Sequence, residues 1–118
     1  MILFIIGGDK RQLHLMRLLE EDGHTVFHWG LGQKQEASLK SAVVADYVIL
    51  PLPLSRDGIH LNLPLSEETL PLEMLWEQLG KSVALGGNVS REQVLAAKKE
   101  SAELLDYFDR EEVQVLKL

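Results

Sequence analysis

The sequence predicts an α/β domain of the three-layer, flavodoxin-like or Rossmann-like kind, with about five parallel strands and helices on both faces. Three observations carry that expectation. Ile2 to Ile6 is an unbroken run of large hydrophobes, as a strand buried on both faces requires. Gly7-Gly8-Asp9 follows at once and opens a helical segment from Lys10 to Asp22. Further short apolar runs then alternate with helical stretches, with no internal repeat and no low-complexity segment.

In the first helix Leu13, Leu15, Met16, Leu18 and Leu19 form a broad apolar face, and Asp22-Gly23 ends it. His24 to Trp29 alternates and carries Thr25, Val26 and Phe27, which suits a second strand that stops at Gly30-Leu31-Gly32. Gln33 to Val44 has a weak pattern, suggesting a short helix or turn. Asp46 to Leu52 reads as a third strand, ended by Pro51 and Pro53 because proline cannot donate to a ladder. Leu54 to Leu65 is a long excursion with a turn at Asp57-Gly58 and alternation afterwards, which suggests a small hairpin. Pro71 suits the start of a helix with Leu72, Leu75, Trp76 and Leu79 as its buried stripe and Gly80 as its stop. Ser82 to Leu85 makes a short strand before Gly86-Gly87. Ser90 and Gln93 form a capping box, with Val89 and Val94 as its staple, for a helix running to about Ala102. Leu104 to Phe108 reads as the last strand, and Asp109 to Leu118 is too short for another unit.

The 118 residues suit one domain, spanning 1–118, that buries roughly two thirds of its unfolded surface. The absence of cysteine excludes disulfides, thiolate metal sites and cysteine nucleophiles. A net charge of -6 with scattered basic residues argues against a nucleic-acid partner. No apolar run approaches the roughly 20 residues of a membrane span, and the start is too short for a signal peptide, so a soluble cytoplasmic protein is expected.

In parallel sheets of this kind ligands bind beyond the carboxyl ends of the strands, which directs attention to the turns there. A dinucleotide fingerprint would need glycines at 7, 9 and 12, and only Gly7 fits. Asp9 would also oppose a pyrophosphate at the helix amino end, whereas capping the helix is an ordinary use of aspartate. Lys10, Arg11 and Gln12 lie in the first helical turn, where their donors could join free backbone N–H groups to hold a small carboxylate. A receiver domain would need a phosphorylatable aspartate after the third strand, and Pro51-Leu52-Pro53 stands there. The turn offers no hydroxyl-rich phosphate loop for a flavin. His24 and His28, about 13 Å apart at roughly 3.3 Å per residue, cannot share an ion, and His14 and His60 have no second ligand nearby in sequence. All four histidines are read as surface or strand-end residues. Ser55-Arg56-Asp57-Gly58 follows the third strand at the same edge, where an arginine can clamp a carboxylate. Gly86-Gly87-Asn88 completes the edge and lets a ligand or another domain approach the backbone.

Gly7-Gly8-Asp9 with Arg11-Gln12, the run Ile49-Leu-Pro-Leu-Pro-Leu-Ser-Arg-Asp-Gly58 and the Phe108-Asp-Arg-Glu-Glu-Val113 tail together resemble the N-terminal domain of the dipicolinate synthase A chain from spore-forming bacteria. The resemblance spans essentially the whole sequence. It implies an NADP-dependent oxidoreductase that makes dipicolinate from a cyclic lysine-pathway intermediate, in the mother-cell cytoplasm during sporulation, and that works with a partner B subunit. It also implies that a C-terminal Rossmann domain carrying the NADP fingerprint is missing from this sequence, which at Lys117-Leu118 departs from the expected continuation. On that basis the domain binds no cofactor or metal by itself and is inactive alone.

The residues carried over as substrate-binding are Gly7, Gly8, Asp9, Arg11 and Gln12 in the first turn, Pro53, Ser55, Arg56 and Asp57 in the second, and Gly86 and Gly87 in the third. Arg11 and Arg56 are expected to face a small dicarboxylate from adjacent turns. The catalytic acid and base are not legible. The alternatives are an assembly module for the Rossmann domain, the B subunit or a second copy of the chain, and a free-standing domain that binds another small ligand.

Overall fold

The structure, a computed structural model, describes residues 1–107. The expectations placed on Phe108 and on the segment 109–118 lie outside the described residues. Five parallel strands form one sheet in the order β2-β1-β3-β4-β5: β1 (Ile2–Ile6), β2 (Thr25–Trp29), β3 (Tyr47–Ile49), β4 (Val83–Gly86) and β5 (Glu103–Asp106). Three α-helices flank it: α1 (Lys10–Glu21), α2 (Leu72–Leu79) and α3 (Arg91–Lys99). This is the flavodoxin-like order that the sequence predicts.

The apolar run of β1 divides by alternation between two cores. Phe4 and Ile6 join Val48, Leu50, Ala84 and Leu104 on one face, under Leu72, Leu75, Trp76 and Leu79 of α2 and Ala97 of α3. Phe4 meets Phe27 edge-on, with ring centroids 6.4 Å apart. Ile5, Ile49 and Leu31 form the smaller core on the opposite face, under Leu13, Leu15, Met16 and Leu19 of α1. The predicted stripe of α2 is buried in full, and Gly80 caps that helix.

Beside end shifts of one or two residues in α1, β2, β4 and β5, three features differ from the sequence expectation. The third strand is three residues long rather than seven, although Leu50 N–H still bonds Leu85 carbonyl, because Pro51 has no N–H with which to continue. The helix expected to reach Ala102 ends at Lys99, where Glu100 and Ser101 turn the chain so that Ala102 can enter the core. The hairpin expected between Leu54 and Leu65 does not form. Its alternating residues bond to different partners: Leu61 N–H donates to Leu70 carbonyl, Asn62 N–H to Leu54 carbonyl, and His60 makes an isolated antiparallel bridge with Pro71. No single neighbouring strand is available, so no ladder develops. The weak segment before β3 contains a 3-10 turn at Leu39–Val44.

Because every strand runs the same way, the turns after β1, β3 and β4 all emerge at one edge. The fold depends on the main core far more than on exposed apolar residues such as Leu95, which is 50% exposed. Phe4→Ala is expected to destabilise the domain by about 3–5 kcal/mol, and Leu95→Ala by less than about 0.5 kcal/mol, as measured by urea unfolding.

Candidate functional site

The carboxyl edge of the sheet is stitched together by backbone bonds between its turns. Gly7 and Gly8 both take left-handed φ values, +72° and +101°. Gly7 N–H donates to Trp29 carbonyl, and Gly8 N–H donates to Asn62 carbonyl at 3.0 Å. A Cβ at position 7 would stand 3.0 Å from that same Asn62 oxygen, and one at position 8 would strike Gln12 at 2.4 Å. The two glycines therefore admit the long loop after β3 and the Gln12 side chain. Leu54 N–H bonds Gly87 carbonyl, and Leu52 fills the space where a side chain at Gly87 would be. Gly86 lies against Val89, Leu104 and Leu50. The edge is common to all three turns, as expected.

Asp9 caps α1, accepting from Arg11 N–H at 2.9 Å, and its carboxylate also receives Arg11 Nε and Nη2 at 3.0 Å each. Arg11 Nη2 further donates to Leu52 carbonyl at 2.8 Å. Hydrogen bonding from Arg11 holds the Asp9 carboxyl below its usual range and raises the guanidinium in turn. The positive charge of Arg56 lowers the Asp9 carboxyl further, as the weakest of these influences. The N–H groups that the sequence offers to an anion are thus largely engaged by Asp9, Trp29 and Asn62. Gln12 Nε2 stands 3.5 Å from Leu50 carbonyl.

Arg56 differs from Arg11. It donates Nε to Asn62 Oδ1 at 3.3 Å, while neither of its terminal nitrogens bonds a described residue. Asn62, buried at 6% exposure, donates Nδ2 to Pro53 carbonyl at 3.1 Å. Asp57 is the most heavily bonded carboxylate of the site. Its Oδ1 accepts from Ser55 Oγ at 3.1 Å and from the N–H groups of Ile59 and His60 at 2.8 Å each, and its Oδ2 lies 2.7 Å from His60 Nδ1. These donors, His60 foremost, hold the Asp57 carboxyl far below the ordinary range. Ser55 Oγ also accepts from Gly58 N–H, which closes the turn.

Two cavities flank this edge. One of about 280 Å³ is lined by Asp9, Arg11, Gln12, Leu15, Leu50, Leu52 and Tyr107, whose phenol burial pushes above its usual range. The other, about 270 Å³, lies along Arg56, Asp57 and the stretch from His60 to Pro64. A larger groove of about 650 Å³ runs between α3 and β5, away from these charges. No group of three metal-ligating side chains occurs among the described residues, and none of their helices is long and apolar enough to cross a membrane. Asp9, Arg11, Gln12, Ser55, Arg56 and Asp57, all expected from the sequence, lie along these cavities or bond to residues that do. Asn62, signalled in the sequence only by a lone amide between Leu61 and Leu63, and Tyr107 are additions to that set, and His60, expected at the surface, lines a cavity while staying partly exposed.

Fold and site together define a doubly wound α/β domain with a polar, loop-built edge beyond the carboxyl ends of its strands. Its sequence matches the family of the dipicolinate synthase A-subunit N-terminal domain over residues 3–108, and the chain belongs to that family. The crystal structure of the dipicolinate synthase A chain from Bacillus subtilis is similar, at TM-score 0.72 and 21% identity, over 93% of this chain and 41% of that one. The corresponding dipicolinate synthase chain from Bacillus halodurans is similar at TM-score 0.68 and 21% identity, over 94% and 41%. The chain thus spans about two fifths of the length of those relatives. A two-component response regulator from Clostridium difficile shares the fold at TM-score 0.52 and 16% identity, over 98% of this chain and 90% of that one. Its likeness is one of fold, since Leu50-Pro51 follows β3 here and offers no phosphoacceptor carboxylate. No curated protein sequence matches the chain.

The depressed Asp57 carboxyl makes a pH prediction. A group whose pKa is lower folded than unfolded stabilises the fold in full above its unfolded value and loses that contribution as pH falls towards its folded value. The stability difference between the wild-type chain and Asp57→Asn should therefore be full above about pH 5 and shrink progressively below about pH 4. Urea titrations at stepped pH measure it; a difference that stays constant down to about pH 3 contradicts the Asp57 geometry.

Proposed function

We propose that this chain forms the substrate-side half of an NADP-dependent enzyme that produces dipicolinate from a partly reduced cyclic precursor, the cofactor being held by a second, Rossmann-type domain. Family membership supports the reaction. The carrying observation for the site is the contrast between the two arginines: Asp9 occupies Arg11, whereas the terminal nitrogens of Arg56 border a cavity unspent. A planar guanidinium matches a carboxylate in two-point fashion, and a dicarboxylate presents two such groups. Arg56 therefore binds one substrate carboxylate directly. Arg11, neutralised by its own cap, braces Leu52 carbonyl and shapes the neighbouring cavity. Hydride transfer belongs to the nicotinamide, which this domain orients substrate towards.

In the enzyme that unites this chain with its cofactor domain, Arg56→Ala should raise KM for the dicarboxylate by about 10- to 100-fold, the scale of one lost charged hydrogen-bond pair, with a smaller effect on kcat. Arg11→Ala should change KM by less than about 5-fold. An Arg56→Ala enzyme with unaltered KM and kcat overturns the assignment and favours a purely docking role for the domain.

A further inference from the structure

We propose that His60 is the proton acceptor of this site, held by Asp57 in the tautomer that leaves Nε2 free to take a proton from a substrate bound at Arg56. The inference rests on the function proposed above and adds a group that the sequence leaves unassigned.

Asp57 is the carboxylate in contact with the imidazole. An ionised carboxylate only accepts hydrogen bonds, and this one is kept ionised by donors on both oxygens. His60 Nδ1, 2.7 Å from Oδ2, must therefore be the protonated nitrogen of the neutral ring. The basic lone pair then resides on Nε2, which has no partner among the described residues. Closing the turn needs no such arrangement, since the backbone N–H groups of Ile59 and His60 already satisfy Oδ1. The second oxygen is left to orient the imidazole.

The ring also sits on fixed backbone. Leu72 N–H donates to Ile59 carbonyl, Leu61 N–H donates to Leu70 carbonyl, and His60 itself bridges to Pro71 at the start of α2. A base whose flanking backbone is hydrogen-bonded keeps its geometry with less reorganisation than one on an unbonded loop. His60 lines the same cavity as Arg56, Asp57 and Asn62, while its side chain remains 43% exposed, so a substrate or a neighbouring domain can reach it. Arg56 brings an anion to this cavity and Asp57 stabilises the imidazolium that forms. The pairing of a carboxylate clamp with an oriented imidazole is what an oxidation that also releases a proton requires.

Aromatising a dihydro ring removes two hydrogens from it. One leaves as hydride, taking its electron pair to the oxidised nicotinamide supplied by the other domain. The other leaves a neighbouring ring atom as a proton to His60 Nε2, and the electron pair of that broken bond closes the new double bond. The imidazolium then releases its proton to solvent, and the nicotinamide is reduced.

The test uses the enzyme complete with its cofactor domain. His60→Asn retains a donor near the Nδ1 position for Asp57 and removes Nε2. It should lower kcat by about 100- to 10,000-fold, the range of general acid–base catalysis, with KM for the dicarboxylate within about 3-fold of wild type. His60→Ala should lose activity similarly and regain at least about 5-fold of it with added imidazole, a rescue that loss of a merely structural ring would not show. If the wild-type enzyme forms dipicolinate, and His60→Asn keeps its kcat or His60→Ala gains nothing from imidazole, His60 is not the proton acceptor and the proposed function stands. A wild-type enzyme that forms no dipicolinate overturns both.

Discussion

The arrangement of the site depends on one buried amide. Asn62 accepts from Gly8 N–H through its backbone carbonyl, donates its own N–H to Leu54 carbonyl, reaches Pro53 carbonyl through Nδ2 and receives Arg56 Nε at Oδ1. The loop between β3 and α2 is long, interrupted by prolines and without a ladder of its own, so its buried polar groups need partners from elsewhere. Asn62 supplies several of them at once and ties that loop to the first turn of the fold. A buried polar group bonded at each of its polar atoms favours one arrangement, because alternatives leave donors or acceptors without partners.

That arrangement also decides how charge is distributed. With a net charge of -6, the chain as a whole does not attract a dicarboxylate. Screening at physiological ionic strength limits this background to roughly 8 Å, so the nearest groups dominate. Asp9 cancels Arg11, and Asp57 is directed to His60, while the end of the Arg56 side chain keeps its charge uncompensated by contact. Two carboxylates and two arginines close together could have formed two ion pairs and an inert surface. The Asp57 turn prevents that by occupying its carboxylate with backbone N–H groups and an imidazole.

Much of the fold was legible because local signals and tertiary demands agreed. The run from Ile2 to Ile6, the Leu72–Leu79 stripe and the Ser90–Gln93 box each announce an element that the structure contains. The hairpin failed because alternation in Ile59, Leu61 and Leu63 records which side chains are buried, and does not say whether one strand or several unrelated segments provide the bonds. The turns of the site could be located from Gly7-Gly8-Asp9 and Ser55-Arg56-Asp57. Their internal bonding could not, because whether Asp9 serves a ligand or Arg11 depends on side-chain geometry two residues away. His60 is separated from Asp57 by only two residues, yet composition alone makes it one loop histidine among four.

The contact between Leu52 and Gly87 couples two turns sterically. A Cβ at position 87 would stand 2.0 Å from Leu52 Cδ1 and 3.1 Å from its Cβ, so the Leu52 side chain would have to swing away and its Cβ to give by a few tenths of an ångström. The two positions lie in different turns, far apart in sequence, but share one volume. A side chain at 87 has to be met by a shift of Leu52, so a change in the turn after β4 is passed directly to the turn after β3.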